Sequence, residues 1–185
     1  MGIKGASQMH TLIELFDCCQ IEKVVSYLKF KPQKIIFIGF SDDDFTEKYN
    51  AIKKMIQEQD RTVALAYIAV SRYNYKDIIE KLETILQNNA NCFFDLTGGK
   101  ELVLVAMGAI STKYRIPMCQ IDISTNRLIP ISCFENLPKE HIKSLTLLDS
   151  ITLNCGILEQ SAAPAITHNF MEAVQCLWSS AKTNS

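Results

Sequence analysis

Residues 92 to 112 read CFFDLTGGKELVLVAMGAIST, and the architecture of the chain follows from them. The first five residues have the length and aromatic content of a buried strand, and the last twelve have the length of a helix. Between them Gly98-Gly99 turns the chain. A glycine pair there lets the backbone approach a ligand closely, and the unpaired N–H groups of the following helix suit an anion. Alone, such a pair marks a tight turn. Thr97 and Lys100 on either side shift the reading toward an anion site.

Outward from this unit, strands and helices alternate. HTLIELF, 10 to 16, is a short apolar run of strand type, followed by Ile21, Val24, Val25 and Leu28 at helical spacing, with Pro32 closing the segment. KIIFIGF, 34 to 40, is a second strand. Ser41-Asp42-Asp43-Asp44 opens the next helix as an N-cap, with Phe45, Tyr49, Ile52 and Ile56 on one face. TVALAYIAV, 62 to 70, is the third strand, and Ile78, Ile79, Leu82, Ile85 and Leu86 make its following helix amphipathic. After the glycine unit come a strand over 118 to 123, a turn at Ser124-Thr125-Asn126 and a hairpin partner from Arg127 to Cys133.

Four strand–helix alternations predict an α/β, Rossmann-like doubly wound sheet, mainly parallel and covered on both faces. The expected order is 3-2-1-4-5, with the hairpin adding an antiparallel edge strand. Residues 9–134 form this domain. Residues 1–8 read as a leader or cloning remnant. Residues 135–185 read as a helical linker or the start of a truncated C-terminal region, too short for a second full domain.

In that order strands one and four are neighbours, and the switch point between them is where such sheets bind ligands. Two polar segments meet there: Asp17, Cys18, Cys19 and Gln20 after strand one, and Thr97, Gly98, Gly99 and Lys100 after strand four. The helix after Gly99 is apolar on almost every side, which marks a helix buried twice over. Gly108, Ala106 and Ala109 allow close approach of a second body, so the helix is read as a homodimer interface, with a core helix beneath the tail as the alternative.

Composition narrows the function. Lys plus Arg number 19 and Asp plus Glu 20, a net charge of −1, so no broad duplex-DNA-binding surface is expected. No apolar run reaches the ~18 residues of a membrane span, and no signal-peptide stretch opens the chain, which together point to a cytoplasmic protein. The 7 cysteines form no C-x-x-C pair and read as reduced thiols. Cys18-Cys19 is placed at the mouth of the crevice. His10, His141 and His168 lack ligand spacing, so no metal and no cofactor are expected. A P-loop fails, because a phenylalanine stands where its first glycine belongs and Glu101 follows Lys100. The dinucleotide fingerprint fails too, since the turn from Asp17 to Gln20 has no glycine.

FFDLTGGKELVLVAMGA, 93 to 109, resembles the central motif of CRISPR-associated Rossmann fold (CARF) domains, especially the N-terminal sensors of cyclic-oligoadenylate-activated type III CRISPR nucleases. LFDCCQI, 15 to 21, is similar to the polar turn after strand one in that branch, and LTLLDSITLNCG, 145 to 156, to its exit segment. The resemblance covers roughly 10 to 156. It implies a homodimer binding a cyclic oligoadenylate, with cyclic tetra-adenylate the first choice, across the two-fold axis in antiviral defence. Asp17, Cys18, Cys19 and Gln20 would line one side of the cleft and Thr97, Gly98, Gly99 and Lys100 the other. Two departures stand out. Family members carry Thr-Lys after the glycine pair where this chain has Lys100-Glu101. The nuclease domain is missing, and the E-x-x-K segment Glu140 to Lys143 reads as a surface charge pair. A metal-independent ring nuclease using Lys100, Thr97 and Gln20 is one alternative. A transcription regulator whose tail belongs to a winged-helix unit is another, disfavoured by the few basic residues of 134–185.

Overall fold

The computed structural model describes residues 10–17, 20–122 and 127–132, and of Gln20 the backbone alone. Residues 1–9, Cys18-Cys19, residues 123–126 and everything from Cys133 onward, including the Glu140 to Lys143 segment and the stretch 145–156, lie outside the described residues, and with them the expected leader, hairpin turn and C-terminal region. The elements run β1 (Thr11–Leu15), α1 (Gln20–Phe30), β2 (Lys34–Phe40), α2 (Thr46–Gln59), β3 (Ala64–Val70), α3 (Tyr75–Asn88), β4 (Cys92–Asp95), α4 (Glu101–Tyr114), β5 (Met118–Asp122) and β6 (Arg127–Ser132). They form one sheet in the order β3-β2-β1-β4-β5-β6. All neighbouring pairs are parallel except β5–β6. This is the order and the antiparallel edge strand that the alternation predicts.

Strand alternation sorts the apolar side chains into two cores. Ile13, Leu15, Ile36, Ile38 and Phe94 pack with Ile78 and Leu82 of α3 and Val103 and Met107 of α4. Leu12, Phe16, Ile35, Phe37 and Phe93 face the other way, against Val24 and Tyr27 of α1 and Ile52 and Ile56 of α2. All five residues of β1 are buried, as expected of a central strand in a two-sided parallel sheet. On the α2 side Phe16, Phe37, Tyr49 and Tyr67 meet edge to face, with centroids 5.1–6.1 Å apart. Tyr67 reaches this cluster because Gly39, on the neighbouring strand, has no side chain: a Cβ there would overlap the phenol ring.

Three sequence expectations need correction. α2 starts at Thr46, not at the Ser41–Asp44 segment. Asp42 and Asp43 are engaged by Arg72 at 2.9 and 2.6 Å, and Asp44 Oδ1 accepts the Thr46 N–H at 3.2 Å, a local turn ahead of the helix. β3 starts two residues late, because the Thr62 N–H and hydroxyl both donate to Asp60 Oδ1, at 2.8 and 2.7 Å. The third concerns α4. Ala106 is fully buried with Val103, Met107 and Ile110, inside the subunit's own core rather than on an outward face. The outward side carries Val105, 60% exposed, together with Ala109, and a Cβ on Gly108 would meet nothing within 4 Å. α4 thus has one core face and one apolar face turned away from the sheet.

Candidate ligand-binding crevice

β1 and β4 are adjacent, and the chain turns off each of them toward a helix: α1 on one side of the sheet, α4 on the other. Asp17 and the 97–100 turn therefore converge at one end of the sheet. Gly98 adopts φ +69°, the left-handed region that glycine enters without cost. A Cβ on Gly98 would overlap Glu22 Oε2 of α1 and stand 3.1 Å from Asp17 Oδ2. The turn therefore rests directly on two carboxylates, and this close approach is the geometric requirement for glycine. Gly99 differs: its φ is ordinary, and a Cβ would meet the Leu104 side chain rather than the open crevice. Gly98 and Lys100 are exposed. Lys100 is the N-cap of α4 and gives no side-chain bond to the first-turn amides.

Thr97 is placed beneath the turn. It is 3% exposed, and its hydroxyl donates to Asp95 Oδ1 at 2.5 Å while accepting the Ile121 N–H at 2.7 Å. Its own N–H goes to Asp95 Oδ1 at 2.9 Å. The Thr97 hydroxyl is thus committed to joining β4 to β5, and any ligand contact at this residue falls to the backbone. Gln20 opens α1.

Sequence reasoning missed the layer under the crevice. Glu14 of β1 and Asp95 of β4 are register partners, 0% and 1% exposed, pointing to the α1 side. Lys23 and Ser26 of α1, both fully buried, come down onto them. Lys23 Nζ donates to the Thr97 carbonyl at 2.9 Å. The Ser26 hydroxyl reaches Asp95 Oδ2 and, 3.0 Å away, the Glu22 carbonyl. Both carboxyl oxygens of Glu14 lack a hydrogen-bond partner among the described residues. Burial holds the Glu14 pKa well above the usual carboxyl range; the Lys23 charge opposes this and the Asp95 carboxylate adds to it. The available signal was Glu14 itself. A charged residue midway along a strand covered on both faces demands a buried partner, and the first cation that follows it is Lys23 on α1.

No group of three or more His, Cys, Asp or Glu suited to a metal ion occurs among the described residues. Cys92 and Cys119 are buried free thiols, and burial pushes Cys92 up to about 11 and Cys119 higher still. Neither is in a nucleophilic state at neutral pH.

The chain forms a six-stranded 3-2-1-4-5-6 sheet with one antiparallel edge strand and a glycine turn at the switch point. Solved structures share the fold, three of them as follows. Can2 from Sulfobacillus thermosulfidooxidans, in complex with cyclic tetra-adenylate, aligns with a TM-score of 0.65 at 17% identity, over 79% of this chain and 39% of that one. Protein VC1899 from Vibrio cholerae gives 0.67 at 18% identity, over 78% of this chain and 39% of that one. A type III CRISPR defence DNA nuclease activated by cyclic oligoadenylate gives 0.53 at 12% identity, over 80% and 24%. The chain thus spans about two-fifths or less of each of these proteins. No family model and no curated protein matches the chain. No helix among the described residues is long and apolar enough to cross a membrane.

Proposed function

We propose that this chain is a sensor domain that binds a cyclic oligoadenylate, cyclic tetra-adenylate by preference, in a cleft built from two copies. The observation supporting this most directly is the seating of Gly98, in left-handed conformation, against Asp17 at the β1–β4 switch point. That contact joins the two segments of the proposed site at the position where α/β sheets take ligands. Exposed Lys100 and the first-turn amides of α4 supply positive potential for phosphate. Asp17 and Glu22 repel phosphate but suit the hydrogen-bond donors of a nucleotide, its ribose hydroxyls and exocyclic amines, because a carboxylate only accepts. A ring of two-fold symmetry needs two copies of one anion site, and a C2 pair supplies them. The outward apolar face of α4, with Val105 and Ala109, is the surface on which the pair forms.

The likeness to a protein in complex with cyclic tetra-adenylate and to a nuclease activated by cyclic oligoadenylate supports this choice of ligand. The test is calorimetric titration with cyclic tri-, tetra- and hexa-adenylate, with chromatography of the mixture afterwards. Binding of one ring per two chains is expected. Absence of heat with every ring overturns the reading, and conversion of the ring to linear products would make the protein a ring nuclease instead.

A further inference from the structure

We propose that Lys23 is the positioning residue of the glycine turn: its buried ammonium grips the Thr97 carbonyl and thereby sets the direction in which Gly98, Gly99 and the first amides of α4 face. The proposal rests on the reading of that turn as the ligand-binding element.

Lysine is almost never fully buried without a partner, and Lys23 is 0% exposed in the first turns of an otherwise amphipathic helix. Its ammonium is the one buried cation among the described residues, whereas Glu14, Asp17 and Asp95 are all buried carboxyl groups. Yet the hydrogen bond recorded for Nζ goes to a backbone carbonyl, that of Thr97, at 2.9 Å. That carbonyl belongs to the peptide unit leading into Gly98, so fixing it fixes the plane of the Gly98 amide. The other side of Thr97 is held as firmly. Its N–H and hydroxyl both donate to Asp95 Oδ1, and its hydroxyl accepts from Ile121 on β5. Thr97 is thus fastened at N–H, side chain and carbonyl, by β4, β5 and α1 in turn. The left-handed Gly98 that follows departs from a point with no freedom left. Preorganised donors raise affinity because ordering is completed before the ligand arrives.

Charge balance alone would not require this geometry, and that difference is testable. Lys23→Met removes both the carbonyl grip and the buried positive charge. Adding Asp95→Asn removes the carboxylate it balanced. In the double variant the new amide oxygen still accepts from Thr97, while the amide nitrogen donates to Ser26, whose proton then goes to the Glu22 carbonyl. The double variant is therefore expected to recover the melting temperature that Lys23→Met loses. It is not expected to recover the function of the turn.

Three versions of the whole chain are compared: parent, Lys23→Met and Lys23→Met/Asp95→Asn. Each is followed by thermal melting, by amide hydrogen exchange and by titration with cyclic tetra-adenylate. In the double variant, exchange at Thr97, Ile121 and Leu104, whose N–H groups are hydrogen-bonded at or beside the turn, should accelerate, while β1, β2 and α3 stay as protected as in the parent. Its ring affinity should fall by about ten-fold or more, the loss of one good hydrogen bond's worth of organisation. A double variant that melts like the parent, exchanges like it at Thr97, Ile121 and Leu104 and binds as tightly overturns the proposal and leaves Lys23 as a counter-charge alone. If the parent itself binds no ring, the functional reading falls, and the exchange rates still decide whether Lys23 holds the turn. If the double variant does not fold, Ser26→Ala in the parent background, which loosens Asp95 while leaving the Lys23–Thr97 bond in place, gives the comparison: parent-like slow exchange at Ile121 and Leu104 there supports the proposal, and fast exchange opposes it.

Discussion

Glu14 and Asp95 stand side by side on neighbouring central strands, both buried and both facing α1. Two carboxyl groups so placed do not ionise together without cost, and burial raises the Glu14 pKa well above its ordinary value.

The first expected outcome concerns pH. The pKa of Glu14 is raised in the folded chain above its usual 4.5, so the folded state keeps a proton that the unfolded state releases. This contribution to stability is fully present below 4.5 and is lost as pH rises toward and through the folded value. Glu14→Gln, which carries no proton to lose, should flatten the decline. Denaturant unfolding of parent and variant between about pH 5 and pH 8 should show the gap moving in the variant's favour by up to ~1.4 kcal/mol per pH unit. A gap independent of pH would place the charge elsewhere.

Gly98→Ala should be destabilising by ~1–2 kcal/mol from the left-handed backbone alone, with more from the overlap with Glu22 Oε2. Gly99→Ala should cost less, since the new methyl meets the flexible end of Leu104. Urea titration of the two variants checks the ranking, and only Gly98→Ala should also displace α1, seen as faster exchange near Glu22.

Lys100→Ala should weaken ring binding without affecting the melt, because Lys100 is exposed and makes no cap bond. A hydrogen bond to a charged group is worth ~1.5–3 kcal/mol. Lost twice in a symmetric pair, this is a drop of about two to four orders of magnitude in affinity. Lys53→Ala is a stringent control, because Lys53 lines a groove along α2 and the turn after it with Lys54, Glu58 and Arg61, away from the crevice. Equal losses from both substitutions would mean diffuse electrostatics rather than a site. Raising salt should weaken binding to the parent more than to Lys100→Ala.

The two alanines of α4 should behave differently. Ala109→Glu, on the outward face, should leave the subunit folded and shift sedimentation toward the monomer. Ala106→Glu, in the core, should prevent folding, since a charge there has neither solvent nor partner. Sedimentation of Ala109→Glu at the parent's mass would remove α4 from the interface.

The strand order was readable from alternation because short apolar runs, punctuated by turns, have few ways to pair. The turn at Gly98 was readable because it follows a buried strand and opens a helix. Other features are set by partners distant in sequence. The start of α2 depends on Arg72, beyond β3 in the next crossover, which takes up the aspartates that would otherwise cap it. Lys23 and Ser26 sit in a segment whose apolar spacing turns them toward solvent on paper. They face inward because Glu14 and Asp95 are there to meet them, and neither strand reveals that by periodicity. Likewise the helical apolar pattern of α4 has no contrast between its sides, so only the folded chain separates Ala106 from Ala109.

Gly39 and Tyr67 divide one volume between two strands, the glycine giving up what the tyrosine occupies. Their order of replacement in descent is therefore constrained. A side chain cannot enter at 39 until the ring at 67 has first become small, and a chain that shrinks residue 67 alone carries a hole in its aromatic cluster until 39 fills it. Each route passes through a less stable intermediate, so the pair should change together or not at all, and two lineages that have made the exchange would share a sheet while differing at both positions.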